Sequence, residues 1–349
     1  MGNGVGLLGA AVKGQKTKKV LNEGSGSKNG ITQNGIGNHN IHGVDHPAKF
    51  INSTNCRDIL AKYDTILMDC DGVLWHMDQI TPIPGIRNTM QILVKLDKEL
   101  IFLSNNSLRS RASFQQRIKD EIGIDVPKKN IFCIPYLIAV YLKEIEPIQG
   151  KVYLIGRREM SDELAELGIP HVGVGADSDC IPFEPQDLFK QELLPDIGSV
   201  VVGFDSHFSY NKLFKAASYL SKPNCSFIGT SDNPSVMIAN RLKAPVDGAL
   251  VAAVSKASGR SPLFLGKPSE HCFDCIKRVH PNIRKSKTLV IGDCLSTDIL
   301  FAKKCGLDSL MVLTGQSTLD EIDKHKRHSL SYCLPNYVAQ SLADLGRYL

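Results

Sequence analysis

Thr65-Ile66-Leu67-Met68-Asp69-Cys70-Asp71-Gly72 is the stretch on which the fold turns. A short apolar run, bounded by turn residues, ends abruptly in two carboxylates with one residue between them. Such a run is a strand buried on both faces, the kind that parallel sheets contain. The pattern recurs further along the chain at Leu100–Leu103, Val152–Ile155, Val200–Val202, Thr288–Ile291 and Leu310–Leu313. Helical spacing appears between the runs, as in Ile86, Met90, Leu93 and Val94. Strands alternating with helices predict an α/β architecture with a doubly wound parallel sheet, in which ligands bind beyond the carboxyl ends of the strands.

The 349 residues, 42% of them apolar, suffice for about two domains with sizeable cores. No apolar run approaches the ~18 residues of a membrane span. Of the net charge of +5, residues 1–48 supply +3, from five Lys against Glu23 and Asp45. The remaining +2 is too little to make nucleic acid the main partner. The same 48 residues hold eleven glycines and six asparagines, a composition that predicts a disordered basic tail. Gly2 with the following lysines resembles a lipidation signal only weakly, because Gly6 stands where Ser or Thr is usual, so no stable membrane association is expected. Ten irregularly spaced cysteines and no secretory leader predict free thiols in the cytoplasm. Cys272 and Cys275 form a CxxC without a second ligand pair, which reads as two helix-borne cysteines rather than zinc.

Polar residues collect where the predicted strands end. Asp69 and Asp71 follow the first, Ser104 and Asn105 the second, and Asp293 and Asp298 follow Thr288–Gly292. Phe264-Leu265-Gly266 leads likewise into Lys267, and one open sheet would bring these ends to a single crevice. Carboxylates crowded together repel and so imply a compensating cation. Oxygen ligands without His or Cys select Mg²⁺ over zinc. A Lys and a hydroxyl beside that ion suit phosphate oxygens. One carboxylate can attack phosphorus, and the second can protonate the leaving alcohol and then deprotonate water. The chemistry points to Mg²⁺-dependent phosphoryl transfer through an aspartyl-phosphate.

Four motifs in order, Asp69-Cys70-Asp71-Gly72, Ser104-Asn105-Asn106, Gly266-Lys267-Pro268 and Gly292 to Asp298, resemble the haloacid dehalogenase superfamily of phosphatases over roughly residues 59–345. Val201 to Tyr210, Thr297 to Phe301 and Met311 to Gly315 bring the resemblance closer to the eukaryotic p-nitrophenyl phosphatase group, which includes phosphoglycolate (glycerol-3-phosphate) and pyridoxal phosphatases. The resemblance implies a Rossmann-like core with an inserted α/β cap: core in 49–144 and 262–349, cap in 145–261. It makes Asp69 the nucleophile and Asp71 the general acid/base, whose carbonyl also meets Mg²⁺. Ser104, Asn105 and Lys267 would hold the phosphoryl group. Asp69, Asp71 and Asp293 would bind the metal, with Asp298 in support, and His207 would face the substrate from the cap. It further implies a small phosphorylated substrate and a homodimer formed through the cap.

The chain departs from the family pattern at Cys294 and Ser296, where an Arg and an acid are usual, and at Val246-Asp247-Gly248, where Gly-Thr-Gly is usual. Ser231 and Asn233 replace an Asn and an Asp. Cys294, Ser296 and Val246 favour one rival reading, a catalytically weakened phosphatase-like binding or regulatory protein. A dehalogenase would have no leaving alcohol for Asp71 to protonate, and an aspartyl-phosphate ATPase would need membrane helices. Trp75 and His76 read as packing residues behind the catalytic loop, and Cys70 as pointing into the core.

Overall fold

The computed structural model describes residues 48–78, 80–177, 186, 192–237, 242–327 and 334–349. The predicted disordered tail thus lies outside the described residues, except Ala48, which is buried with Leu295, Met311 and Val338. No helix among the described residues is long and apolar enough to cross a membrane.

The chain begins with β1 (Lys49–Phe50), β2 (Thr65–Met68), β3 (Glu99–Leu103) and β4 (Ile131–Phe132). It continues through β5 (Lys151–Ile155), β6 (His171–Val172), β7 (Ile197–Val202), β8 (Ser226–Gly229), β9 (Ser235–Met237), β10 (Lys243–Pro245) and β11 (Leu263–Phe264). It returns as β12 (Thr288–Gly292), β13 (Asp308–Val312) and β14 (Tyr337–Ala339). The first and last groups form one sheet in the order β1-β14-β13-β12-β2-β3-β4, with parallel pairing throughout. Every residue of β2 and β12 is buried, as strands covered on both faces require.

From β2 the chain winds outward to β3 and β4, and on its return it winds the other way from β12 to β13 and β14. The direction therefore reverses between β2 and β12, whose register pairs Met68 with Ile291. At such a reversal the connections leave on opposite faces and open a crevice beyond the carboxyl ends. Asp69 and Asp293 are the first residues past those two ends.

The intervening chain builds a second parallel sheet, β11-β8-β7-β5-β6, and an antiparallel hairpin of β9 and β10. Side chains alternate across this sheet. Val152, Leu154, Val201 and Ile228 join the main apolar cluster, whereas Tyr153, Ile155, Val200, Val202 and Phe227 form a separate one on the far face.

The sequence pattern places Phe264-Leu265-Gly266 at a strand end of the sheet that carries the other motifs, and the fold corrects this. Leu263 and Phe264 instead pair with Ile228 and Gly229 of β8 in the second sheet, and Phe264 packs into its far-face cluster. Lys267 enters the crevice from the second layer, three residues after β11 ends.

Candidate active site

The turn after β2 is set by Gly72, at φ +79°, where a Cβ would lie 2.6 Å from Asp293 Oδ2. Only glycine lets this loop close down on the neighbouring carboxylate. The turn buries Trp75 completely, and its indole Nε1–H donates to Asp71 Oδ1 at 2.5 Å. The Arg117 guanidinium stacks 3.7 Å over the same ring. Trp75 does pack, as its sequence context suggests, and it also fixes the carboxylate of Asp71.

Asp69 accepts the Cys70 N–H at 2.7 Å on Oδ1, and the same oxygen lies 3.0 Å from Lys267 Nζ. Lys267 is buried and donates to Asp298 Oδ1 at 2.7 Å. Its main chain is held by Asn105, whose Oδ1 accepts the Lys267 N–H and whose Nδ2 donates to the Lys267 carbonyl, both at 2.8 Å. Asn105 therefore positions the lysine. Ser104, at the end of β3, is buried, and its Oγ accepts the Asn106 N–H at 3.1 Å.

Asp298 uses its second oxygen to accept the N–H groups of Asp293 (3.2 Å) and Cys294 (3.1 Å). It lies inside the turn Leu295–Ile299 and braces the preceding loop. Asp293 is held by Gln316, whose N–H donates to Oδ2 at 2.6 Å. Cys294 is buried, with Sγ 3.3 Å from Ser296 Oγ.

These carboxylates are electrostatically costly. Burial pushes Asp69 well above the usual carboxylate range; Lys267 opposes this, and Asp298 and Asp293 add to it. Burial, reinforced by Asp298, pushes Asp293 up to about 6. Burial alone would lower the Lys267 ammonium, but Asp298 and Asp69 outweigh it and hold the group above its ordinary value. Asp69, Asp293 and Asp298 each place an oxygen within 4.8 Å of the others. One lysine against three carboxylates leaves a charge of −2. An all-oxygen set with that charge fits a hard divalent cation. With both Asp298 oxygens already engaged, Asp69 and Asp293 are the better ligands.

A cavity of about 650 Å³ opens over this cluster, lined by Asp69, Asp71, Ser104, Asn105, Lys267 and Asp293 among others. The second layer closes its far side with residues that include Asp232, Asn233 and Asp247. His207, expected to face the substrate, is not brought there. It is exposed beyond β7, where its own N–H donates to Asp205 Oδ1 at 2.8 Å. Asp247 and Gln316 also line the cavity; the sequence shows the first only as a departure from the family pattern and gives no signal for the second. An acid opening a helix reads as a favourable partner of the helix dipole, and Gln316 acts through its backbone.

Comparison with known proteins agrees with this geometry. Residues 66–170 match the haloacid dehalogenase-like hydrolase family, and residues 264–345 match a HAD-hydrolase-like family. A glycerol-3-phosphate phosphatase of Gallus gallus is 36% identical over 293 residues, covering 83% of this chain and 93% of that protein. A 4-nitrophenylphosphatase of Schizosaccharomyces pombe is also 36% identical, covering 83% and 95%. The solved p-nitrophenyl phosphatase of Archaeoglobus fulgidus superposes with a TM-score of 0.66 at 26% identity, over 82% of this chain and all (100%) of that one.

Proposed function

Because the chain belongs to the haloacid dehalogenase-like hydrolases, we propose that it is a Mg²⁺-dependent phosphomonoesterase that works through an aspartyl-phosphate on Asp69. It is a phosphatase of that family acting on small phosphorylated substrates. The covalent mechanism rests above all on the buried Lys267, held between Asp69 and Asp298 at the point where the sheet reverses. On this reading the five-stranded layer is the cap.

Asp69 attacks phosphorus; an O–P bond to its carboxylate forms as the ester P–O bond breaks. The departing alkoxide takes its proton from Asp71, whose carboxyl is steered by the Trp75 N–H. Asp71 then takes a proton from water as that water attacks the same phosphorus. The bond to Asp69 breaks, phosphate leaves, and both aspartates return to their starting states. Lys267 and Ser104 receive the phosphoryl oxygens, and Asn105 keeps Lys267 in place. Asp69, Asp293 and the Asp71 carbonyl would hold Mg²⁺, which neutralises the surplus negative charge and so favours both an ionised Asp69 and the phosphoryl oxygens.

Hydrolysis of p-nitrophenyl phosphate by the full chain, with Mg²⁺ and then with chelator, is the direct test. Activity should require the metal and fall by about 10³-fold or more in Asp69→Asn. Turnover that survives that substitution would end the covalent mechanism. The Cys294 and Ser296 pair, in contact where the family pattern has an Arg and an acid, supports a second reading as a weakened, regulatory phosphatase. Metal-dependent turnover in the range usual for enzymes rejects it.

A further inference from the structure

We infer that the cap wall of the cavity selects the leaving group: the preferred ester carries hydrogen-bond donors, hydroxyl or ammonium, at the end away from phosphate, and no carboxylate. The inference rests on the phosphatase reading above and narrows its substrate class. Six cap residues line that wall: Ser231, Asp232, Asn233, Val236, Val246 and Asp247. Two of them are carboxylates. Among the described residues lining the cavity, Lys267 is the one cation, and it is committed to Asp69 and Asp298.

Asp247 carries most of the argument. It is 4% exposed and opens the helix Asp247–Ser258. Its Oδ2 accepts the hydroxyls of Ser107, at 2.5 Å, and Thr230, at 2.7 Å. No ion pair joins it to a Lys, Arg or His among the described residues. Its near neighbours are two hydroxyl donors and the helix N-terminus, none of them a full positive charge. The backbone beside it is held by close packing. The Gly248 N–H donates to the Asn233 carbonyl at 3.0 Å, and a Cβ at Gly248 would lie 2.4 Å from that oxygen.

A substrate whose phosphate sits on Lys267 and Ser104 must present its other end to this wall. A hydroxyl or ammonium donates to the carboxylates, whereas a carboxylate meets a like charge in a partly dehydrated cleft.

Three short phosphate esters that differ at the far end provide the test: glycerol 3-phosphate, phosphoethanolamine and phosphoglycolate. For the full chain with Mg²⁺, kcat/KM for the first two should exceed that for phosphoglycolate by about 100-fold. Asp247→Asn, which keeps the shape and an acceptor for Ser107 and Thr230, should narrow that ratio about tenfold or more. Dissociation constants of the three esters for Asp69→Asn, alone and combined with Asp247→Asn, should follow the same order. Phosphoglycolate accepted within about tenfold of glycerol 3-phosphate by the wild-type chain overturns the inference, as does a ratio that Asp247→Asn leaves unchanged. If p-nitrophenyl phosphate is not hydrolysed, the phosphatase reading fails by itself; the binding order then still decides the selectivity.

Discussion

Replacing Asp293 by Asn should stabilise the metal-free protein while destroying its response to metal. Asp293 is 2% exposed, and burial, aided by Asp298, raises its carboxyl to about 6 from an ordinary value of 3.8. A carboxyl with a raised folded-state pKa stabilises the fold fully only below its unfolded value. That contribution is lost as pH rises through the folded value. Between about pH 4 and pH 6 the metal-free protein should therefore lose about 2–3 kcal/mol on account of this group, and little more above. Asn carries no charge to bury, and its carbonyl oxygen can still accept the Gln316 N–H. At pH 7.5 in chelator, the variant should melt about 4–6 °C above the wild type, with the gap closing towards pH 5. Saturating Mg²⁺ should reverse the order, since binding stabilises only the chain that retains its ligand. Thermal unfolding from pH 5 to 8, with and without metal, reads all three effects. A variant that melts no higher than the wild type at pH 7.5 in chelator would refute the account of Asp293 as an electrostatically strained ligand.

Two further outcomes follow from particular side-chain contacts. Glu163 is buried and accepts both the N–H (3.0 Å) and Nε–H (2.7 Å) of Arg111, which ties the helix Arg158–Glu166 to the helix Arg111–Arg117. Glu163→Ala leaves the buried guanidinium only the more exposed Glu166, 2.9 Å from Nη2, and should cost about 3 kcal/mol in urea denaturation; a loss below about 1 kcal/mol would mean that Glu166 and solvent replace the carboxylate. Trp75→Phe keeps an aromatic ring under Arg117 but removes the N–H aimed at Asp71. Turnover of an alkyl phosphate should then fall about tenfold further than that of p-nitrophenyl phosphate, whose leaving group needs little protonation. Equal falls would confine Trp75 to packing.

The parts of the site that could be read from sequence are those attached to long buried strands. A parallel strand covered on both faces has no reason to end in a carboxylate unless the acid leaves the sheet for solvent or for chemistry. Asp69 and Asp293 were conspicuous for that reason, and the reversal between β2 and β12 places them side by side. Lys267 was legible as a residue but not in its placement. The two-residue β11 has no periodicity to assign it to a sheet, and its pairing with β8 is decided by tertiary packing. Asn105 illustrates a different limit. Its residue type suits a phosphate ligand, but its side chain is spent on the main chain of Lys267, 162 residues further on.

The selecting wall was the least legible part, for a related reason. Ser107 and Asp247 stand 140 residues apart, and each alone has an ordinary local explanation, as a loop hydroxyl and as a helix-start acid. Their hydrogen bond and the burial of Asp247 show that the acid is turned towards the loop after β3 rather than towards solvent. Chemistry at strand ends is written in short contiguous motifs because the nucleophile, its partner acid and the turn must be neighbours in the chain. Selection is spread over loops of a second layer, where no residue needs a particular neighbour in sequence. His207 marks the difference: its segment suggests a substrate contact, whereas it is exposed beyond β7 and the cavity is lined by Asp232 and Asp247.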